Sequence, residues 1–432
     1  MYKLIRIGFL MLISLGSVKA QDTTQLSLIF AGDIMQHDAQ IAEGYDPVTK
    51  KYDYTSCFSD IKPLLESADL AIGNLELNLA GPPYKGYPQF SSPDALAKAV
   101  KYAGFDVLVN SNNHSVDRGR KGVERTIKIL DSMQLIHTGT FRDSTVRSRT
   151  YPLIIEKNGF RLSLLNYTYG TNGIPIPKPV VVNLIDTVQM KKDFIKAKNQ
   201  NPDAIIVFLH WGIENQNLHN KTQIELAKFC FKHGAKLVIG SHPHVLQPME
   251  WRKENDQLVV YSLGNFVSNM LNRYQYGGAA VLIDLEKING KDAVSKTTIK
   301  NASYELEWVY RDGKGKYHIL PLLDFENDTL KVSERKARQL QLQFATDARG
   351  LLNKYNVNIA ENTRADFVYR LKLISQDKEI NDSVIQFYGL HNNEGDVLIG
   401  EFYDRETALI ARKEIINKTS YTEVELIMIR KK

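Results

Sequence analysis

Between residues 26 and 285, short apolar β-branched runs alternate with amphipathic stretches, and this alternation narrows the possible folds more than any other feature of the chain. The runs are Leu26–Ala31, Leu70–Gly73, Asp106–Val109, Arg161–Asn166, Ala204–Leu209, Leu237–Ile239 and Leu258–Tyr261. Short apolar runs bounded by turn residues read as buried strands. The stretches between them, Phe58–Ala68, Asp94–Tyr102, Gly119–Met133, Val188–Lys198 and Thr222–His233, carry apolar side chains at helical spacing. Strand–helix alternation of this kind predicts a layered α/β fold with a largely parallel sheet. From about residue 280 the pattern changes. Residues 279–285, 296–311 and 316–323 alternate apolar and polar, and Asn289-Gly290-Lys291 and Arg311-Asp312-Gly313 read as turns. Antiparallel strands are expected to close the unit there.

The remaining chain divides at composition changes. Residues 331–354 are charged and read as a solvated helix or linker. A further unit follows, with strands at Phe367–Ile374, Ile385–Tyr388, Val397–Phe402 and Glu423–Ile429 and a helix at Asp404–Asn417. A length of 432 residues suits two or three such units. At the other end, Lys3 and Arg6 precede an apolar run from Ile7 to Leu15, and Val18-Lys19-Ala20 sets small residues before a cut after Ala20. This is a secretory signal pattern, a short membrane anchor being the alternative. Removing Lys3, Arg6 and Lys19 takes the formal charge from +6 to +3, so nothing in the charge calls for a nucleic-acid partner. The two cysteines, Cys57 and Cys230, are too few for a disulfide framework, and Cys230 lies on the apolar face of its helix as a core thiol would.

In open α/β sheets ligands bind beyond the carboxyl ends of the strands. The residues that follow the strands here are Gly32-Asp33-Ile34-Met35-Gln36-His37, Gly73-Asn74-Leu75-Glu76, Asn110-Ser111-Asn112-Asn113-His114 with Asp117, His210-Trp211-Gly212-Ile213-Glu214, Gly240-Ser241-His242-Pro243-His244 and Ser262-Leu263-Gly264-Asn265-Phe266. Five of the ten histidines, His37, His114, His210, His242 and His244, fall in these loops. Imidazole with carboxylate is the ligand chemistry of borderline divalent metals such as Zn, Mn or Fe. Arg118, Arg120, Tyr167, Tyr169 and Trp211 are the candidate substrate contacts, arginine being suited to bidentate capture of an anion.

These motifs, in this order over roughly residues 26–285, resemble the capsule-synthesis CapA (poly-γ-glutamate biosynthesis) family, itself similar to the calcineurin-like metallophosphoesterases. The resemblance implies a four-layer α/β sandwich of metallophosphoesterase type holding one or two divalent ions (Mn, Fe or Zn). By position it makes Asp33 and His244 ligands of a first metal and Glu76 the bridging carboxylate. Asn113, His210 and His242 become ligands of a second metal. His114 takes the place of the general acid, and Asp117 is placed to orient it through a hydrogen bond. Two departures stand out: the bridging acid is Glu rather than Asp, and His37 follows Asp33 with three residues between instead of one. His37 is therefore only a candidate ligand.

The last 65 or so residues resemble a SPOR domain, a ferredoxin-like α+β peptidoglycan-binding module. The expected organisation is a signal peptide over 1–20, a CapA-like domain over 26–325, a helical linker over 326–363 and the SPOR-like domain over 364–432. The expected activity is metal-dependent phosphoesterase-like hydrolysis of a phosphoester or anionic polymer, by an exported protein of the periplasm or cell envelope. Peptidoglycan is the expected partner of the C-terminal unit. The alternative is a non-catalytic binding or assembly protein for an envelope polymer that keeps the fold.

Overall fold

The computed structural model describes residues 23–288, 295–374, 383–393 and 396–431. The expected signal segment and the Asn289-Gly290-Lys291 turn lie outside the described residues. Among those described, no helix is long and apolar enough to cross a membrane.

Two sheets lie face to face. The first runs in the order Tyr317–Pro321, Lys296–Arg311, Gly277–Ile288, Thr23–Ile34, Leu70–Leu75, Val107–Val109 and Ile136–Thr138. Its last four strands are mutually parallel, and the strand Gly277–Ile288 joins them antiparallel. The second runs Leu246–Arg252, Gln257–Leu263, Leu237–Ser241, Ala204–His210, Phe160–Thr168 and Leu153–Lys157, with four parallel strands between antiparallel edges. The single largely parallel sheet read from the alternation is thus two mixed sheets. Leu28, Phe30 and Ile72 of the first meet Leu164, Ile206, Phe208 and Ile239 of the second in the core between them. Helices cover the outer faces: Asp94–Tyr102 packs on the first sheet, and Thr187–Lys198 and Lys221–Lys232 pack on the second. The result is a four-layer α/β sandwich.

Three elements differ from the sequence reading. The expected helix Phe58–Ala68 is two short pieces, Thr55–Phe58 and Lys62–Leu65. Pro63 lacks an N–H and can only sit in the first turn of a helix, so it starts the second piece. The expected strand Ile385–Tyr388 is the end of a helix, Ser383–Tyr388, in which Val384, Ile385 and Tyr388 share one apolar face and Gly389 stops the turn at φ +84. The helix Arg335–Tyr355 is not solvated all round. Phe344, Ala345, Ala348 and Leu352 are buried in the same core as the two sheets, and the chain beyond pairs Ala360–Glu361 with the strand Lys296–Arg311.

The C-terminal unit has the order strand, helix, strand, strand, helix, strand, and its sheet runs Leu390–Asn393, Asp396–Phe402, Phe367–Leu373, Val424–Arg430, antiparallel throughout. This is the split β-α-β arrangement. Arg405 reaches Asp60 at 3.1 Å and Arg430 reaches Asp284 at 3.0 Å, so the unit is docked on the sandwich by ion pairs.

Candidate functional site

The carboxyl ends of both parallel sets open toward the same seam. Thr23–Ile34 carries Asp33 as its last residue but one, Leu70–Leu75 runs into Glu76, and the strand Val107–Val109 leads to Asn113 and His114. From the second sheet, Ala204–His210 delivers His210, and Leu237–Ser241 leads into His242 and His244. All seven side chains are buried. Two local features force this convergence. At Gly32 a Cβ would strike the Gly264 carbonyl oxygen, just before the strand Asn265–Val267 pairs in parallel with Asp33 and Ile34. His242 and His244 both take left-handed backbone conformations, φ +98 and +58, which cost non-glycine residues energy and collect at functional sites.

The contacts are close and cross-sheet. Asp33 accepts from Asn74 Nδ2 at 2.8 Å and from the His242 backbone N–H at 3.2 Å, and its Oδ2 lies 3.2 Å from His244 Nδ1. His210 places Nε2 2.9 Å from Asn113 Oδ1 and 3.4 Å from Glu76 Oε1, with Nδ1 2.9 Å from Ser241 Oγ. His114 Nδ1 meets Asp117 Oδ2 at 2.8 Å, and that oxygen also accepts the Phe90 N–H at 2.7 Å. Burial would raise the Asp33 carboxyl, but the hydrogen bond and charge of His244 outweigh it and hold Asp33 well below the usual range. Glu76 goes the other way, pushed up by burial and by Asp33 beside it. Burial, with His242 next to it, pushes the His210 imidazole down, and burial together with His244 pushes His242 down to about 3. His244 is raised in spite of its burial, because Asp33 accepts its proton.

The donor set suits a cation. Both oxygens of Glu76 and Nδ1 of His242 are buried without a hydrogen-bond partner. Leaving one such group unpaired costs about 1–3 kcal/mol, more for a charge. These orphaned atoms are grouped rather than scattered. Glu76, His242 and His244 offer ligand atoms within 4.8 Å of one another, and so do Asp33, Glu76 and His210. Glu76 belongs to both groups, the position a bridging carboxylate takes, and His210 falls with Asp33 rather than with His242.

Four sequence candidates lie elsewhere. Tyr167 and Trp211 are corrected from substrate contacts to core residues. Tyr167 donates its hydroxyl to Asp193, Trp211 donates Nε1–H to the Tyr261 carbonyl at 2.9 Å, and both pack under the helices of the second sheet. His37 stands outside both groups: its Nδ1 accepts the Asn269 N–H at 3.2 Å and its ring meets the edge of Phe90. Arg118 stays near the site, with Nε 3.4 Å from the Phe90 carbonyl, whereas Arg120 pairs with Glu124 on an exposed helix face. Tyr169 lies over the His242 ring at 4.5 Å, half exposed. Four polar residues that the sequence reading left without roles hold the ligand candidates in place. Asn74 bridges Asp33 and His210, Asn112 anchors the Leu75 carbonyl, Ser241 holds His210, and Asn265 lies 3.0 Å from His244 Nδ1. Their signal was present, since each falls in one of the segments that follow an expected strand.

The fold and the site together define a four-layer α/β protein with a buried histidine–carboxylate centre where its two sheets meet. Residues 27–270 match the family described as bacterial capsule synthesis protein PGA_cap, and the chain belongs to that family. Capsule biosynthesis protein CapA of Bacillus anthracis is 32% identical over 266 residues, covering 58% of this chain and 61% of that protein. PGA biosynthesis protein CapA of Bacillus subtilis (strain 168) is 28% identical over 259 residues, covering 58% of this chain and 65% of that protein. The chain thus spans less than two thirds of the length of these relatives. Among solved structures, the NAD nucleotidase of Haemophilus influenzae aligns with a TM-score of 0.40 at 14% identity, over 79% of this chain and 64% of that one. The 5'-nucleotidase of Candida albicans SC5314 aligns with a TM-score of 0.37 at 11% identity, over 75% and 58%.

Proposed function

We propose that this protein is an exported, metal-dependent hydrolase with a phosphoesterase-like site, acting in capsule, poly-γ-glutamate or other envelope-polymer biosynthesis. The observation that carries the reading is Glu76: a buried carboxylate with no hydrogen-bond partner, shared by two groups of ligand atoms. Asp33, Glu76, Asn113, His210, His242 and His244 would hold one or two divalent ions (Mn, Fe or Zn). Such ions supply Lewis acidity and neutralise charge that develops on a phosphoryl or carbonyl oxygen. The rest falls to the chain. Asp117 fixes the His114 ring through Nδ1, which leaves Nε2 to hand a proton to the departing oxygen or nitrogen. Phe90 closes one side of that ring at 4.6 Å and keeps water from it. The capsule role is supported by membership of the family, and the polymer substrate by what the Bacillus subtilis relative is named for. Attachment to peptidoglycan through the C-terminal unit belongs to the same proposal, supported by that unit's strand order.

The test has two parts. Elemental analysis after reconstitution with Mn, Zn or Fe should find metal in the wild type and none in the double variant His242→Ala, His244→Ala. The loaded protein should then cleave at least one member of a panel of phosphoesters and γ-glutamyl polymers. A wild type that takes up no metal sinks the reading. Metal without turnover on any member moves the assignment to a polymer-binding protein.

A further inference from the structure

The strand Phe160–Thr168 runs parallel to Ala204–His210 with Thr168 in register with His210, so the loop beyond it opens on the seam that holds the ligand candidates. That loop is pinned. The Tyr169 N–H donates to the His210 carbonyl at 3.0 Å, and the Thr168 hydroxyl donates to the Gly170 carbonyl at 3.0 Å. Thr171-Asn172-Gly173-Ile174 then turns back on itself. Asn172 and Gly173 have φ +50 and +74, and the Ile174 N–H donates to the Thr171 carbonyl at 2.8 Å. Positive φ at both central residues marks a type I′ turn, for which Asn-Gly is a preferred pair. Glycine at 172 would serve the backbone equally well. The Asn172 side chain does something the turn does not need. Its Oδ1 accepts from Asn113 Nδ2 at 3.2 Å and from the Tyr169 hydroxyl at 3.3 Å.

The bond to Asn113 decides which end of that amide faces the centre. An asparagine carries an acceptor and a donor at the two tips of one planar group. Only the oxygen can ligate a cation, and the amide turned over would present N–H groups to it. Asn113 is buried, and its Oδ1 lies 2.9 Å from His210 Nε2, the ring nitrogen that stands 3.4 Å from Glu76 Oε1. With Nδ2 committed to Asn172, the oxygen stays on that side. Water in the place of Asn172 could donate as well as accept and would favour neither orientation.

We infer that Asn172 is a positioning residue for the centre: it fixes the Asn113 amide with the oxygen inward and Nδ2 outward. This rests on the reading of the centre as a metal site and adds the loop after Phe160–Thr168 to the elements that build it.

Two measurements on the full chain test the inference, each with two variants. Asn172→Gly suits the left-handed backbone and removes the acceptor, and Asn172→Asp keeps an acceptor there. The first measurement is the affinity for Mn²⁺ alone, by competition with a chelator. Asn172→Gly should bind roughly tenfold more weakly than the wild type, the low end of the loss when a group that orients a ligand is removed. Asn172→Asp should bind at least as tightly as the wild type. The second needs no metal: solvent exchange of the Asn113 side-chain amide protons, followed by nuclear magnetic resonance. Exchange should be slow in the wild type and in Asn172→Asp, and several-fold faster in Asn172→Gly. Wild-type affinity or wild-type exchange in Asn172→Gly overturns the inference. So does an equal loss in Asn172→Asp, which would make the turn, not the acceptor, the cause. The two proposals fail separately. A wild type that takes up no metal removes the hydrolase reading, and the exchange measurement still decides the role of Asn172. Cleavage of a panel member, with equal Mn²⁺ affinity in the wild type and Asn172→Gly, does the reverse.

Discussion

Which way a side chain points at a strand end is decided by parity. Successive residues of a strand face opposite sides of the sheet. His210 shares its face with Ile206 and Phe208, which pack between the sheets, while Leu209 and Trp211 face the helices. Tyr167 stands beside Leu209 in the register and so faces the helices too. That rule was available from the sequence and separates the histidine from its aromatic neighbours. Grouping loop residues by nearness to a motif ignored it. The prediction follows at this scale. Tyr167→Phe should cost about 1 kcal/mol through the lost hydrogen bond to Asp193, and Trp211→Ala about 3–5 kcal/mol through the cavity left behind. Urea unfolding measures both, and the folded protein should keep its metal content and its Michaelis constant. A raised Michaelis constant with unchanged stability would return either residue to the substrate site. The ligand candidates themselves were legible as residue types after strands. Asn74, Ser241 and Asn265 were not assigned, because a short amide or hydroxyl beside a strand end is also ordinary turn chemistry.

Among elements, those with a long, regular period were the readable ones. The helix Asp94–Tyr102 has the bounds that its apolar spacing predicts, and the strand Lys296–Arg311 spans the whole alternating run. Short elements were not readable in the same way. Four residues such as Ile385–Tyr388 are apolar enough for either a strand or a single helical turn, and packing decides between them. The helix Arg335–Tyr355 hid its buried stripe among charges. Lys336, Arg338 and Arg349 set its composition, but Phe344, Ala348 and Leu352 recur at helical spacing on one side. Arg349 is itself held between Glu326 and Glu361, at 2.6 and 2.8 Å. If this helix is part of the core, Phe344→Ala should destabilise the whole molecule by about 3–5 kcal/mol in denaturant unfolding. A loss under 1 kcal/mol would restore the linker reading.

For the whole molecule, the strand–helix alternation carried the layers but not their number, and the four-layer sandwich came from the resemblance of the strand-end motifs instead. Alternation says that strands and helices pack together, and only the closing antiparallel strands hinted at how the sheet divides. The position of the C-terminal unit was not legible either, since its docking depends on Asp60, more than 300 residues away from Arg405. Burial would raise the Asp60 carboxyl, but His318, Lys331 and Arg405 hold it below its usual value. A carboxylate depressed in the folded state adds stability that is complete above its unfolded pKa and is lost as pH falls through the folded one. Docking should therefore be intact at neutral pH and weaken only on acidification below the ordinary carboxylate range. Asp60→Asn should raise amide exchange in the helix Arg405–Lys418 at pH 7 and flatten the acid limb of the stability curve. Unchanged exchange would mean that the apolar contacts hold the unit alone.

The seam between the sheets has one more consequence. Asp33 and Glu76 come from one sheet, and His210, His242 and His244 come from the other. An ion gripped by both would act as a rivet: the sheets cannot slide without loosening it, and it cannot leave while they stay in register. Occupancy and cohesion become a single equilibrium. At a free ion concentration one hundred times the dissociation constant, the linkage is worth about 2.7 kcal/mol. The ion's abundance in the surroundings would then set how firmly the two halves of the sandwich hold each other.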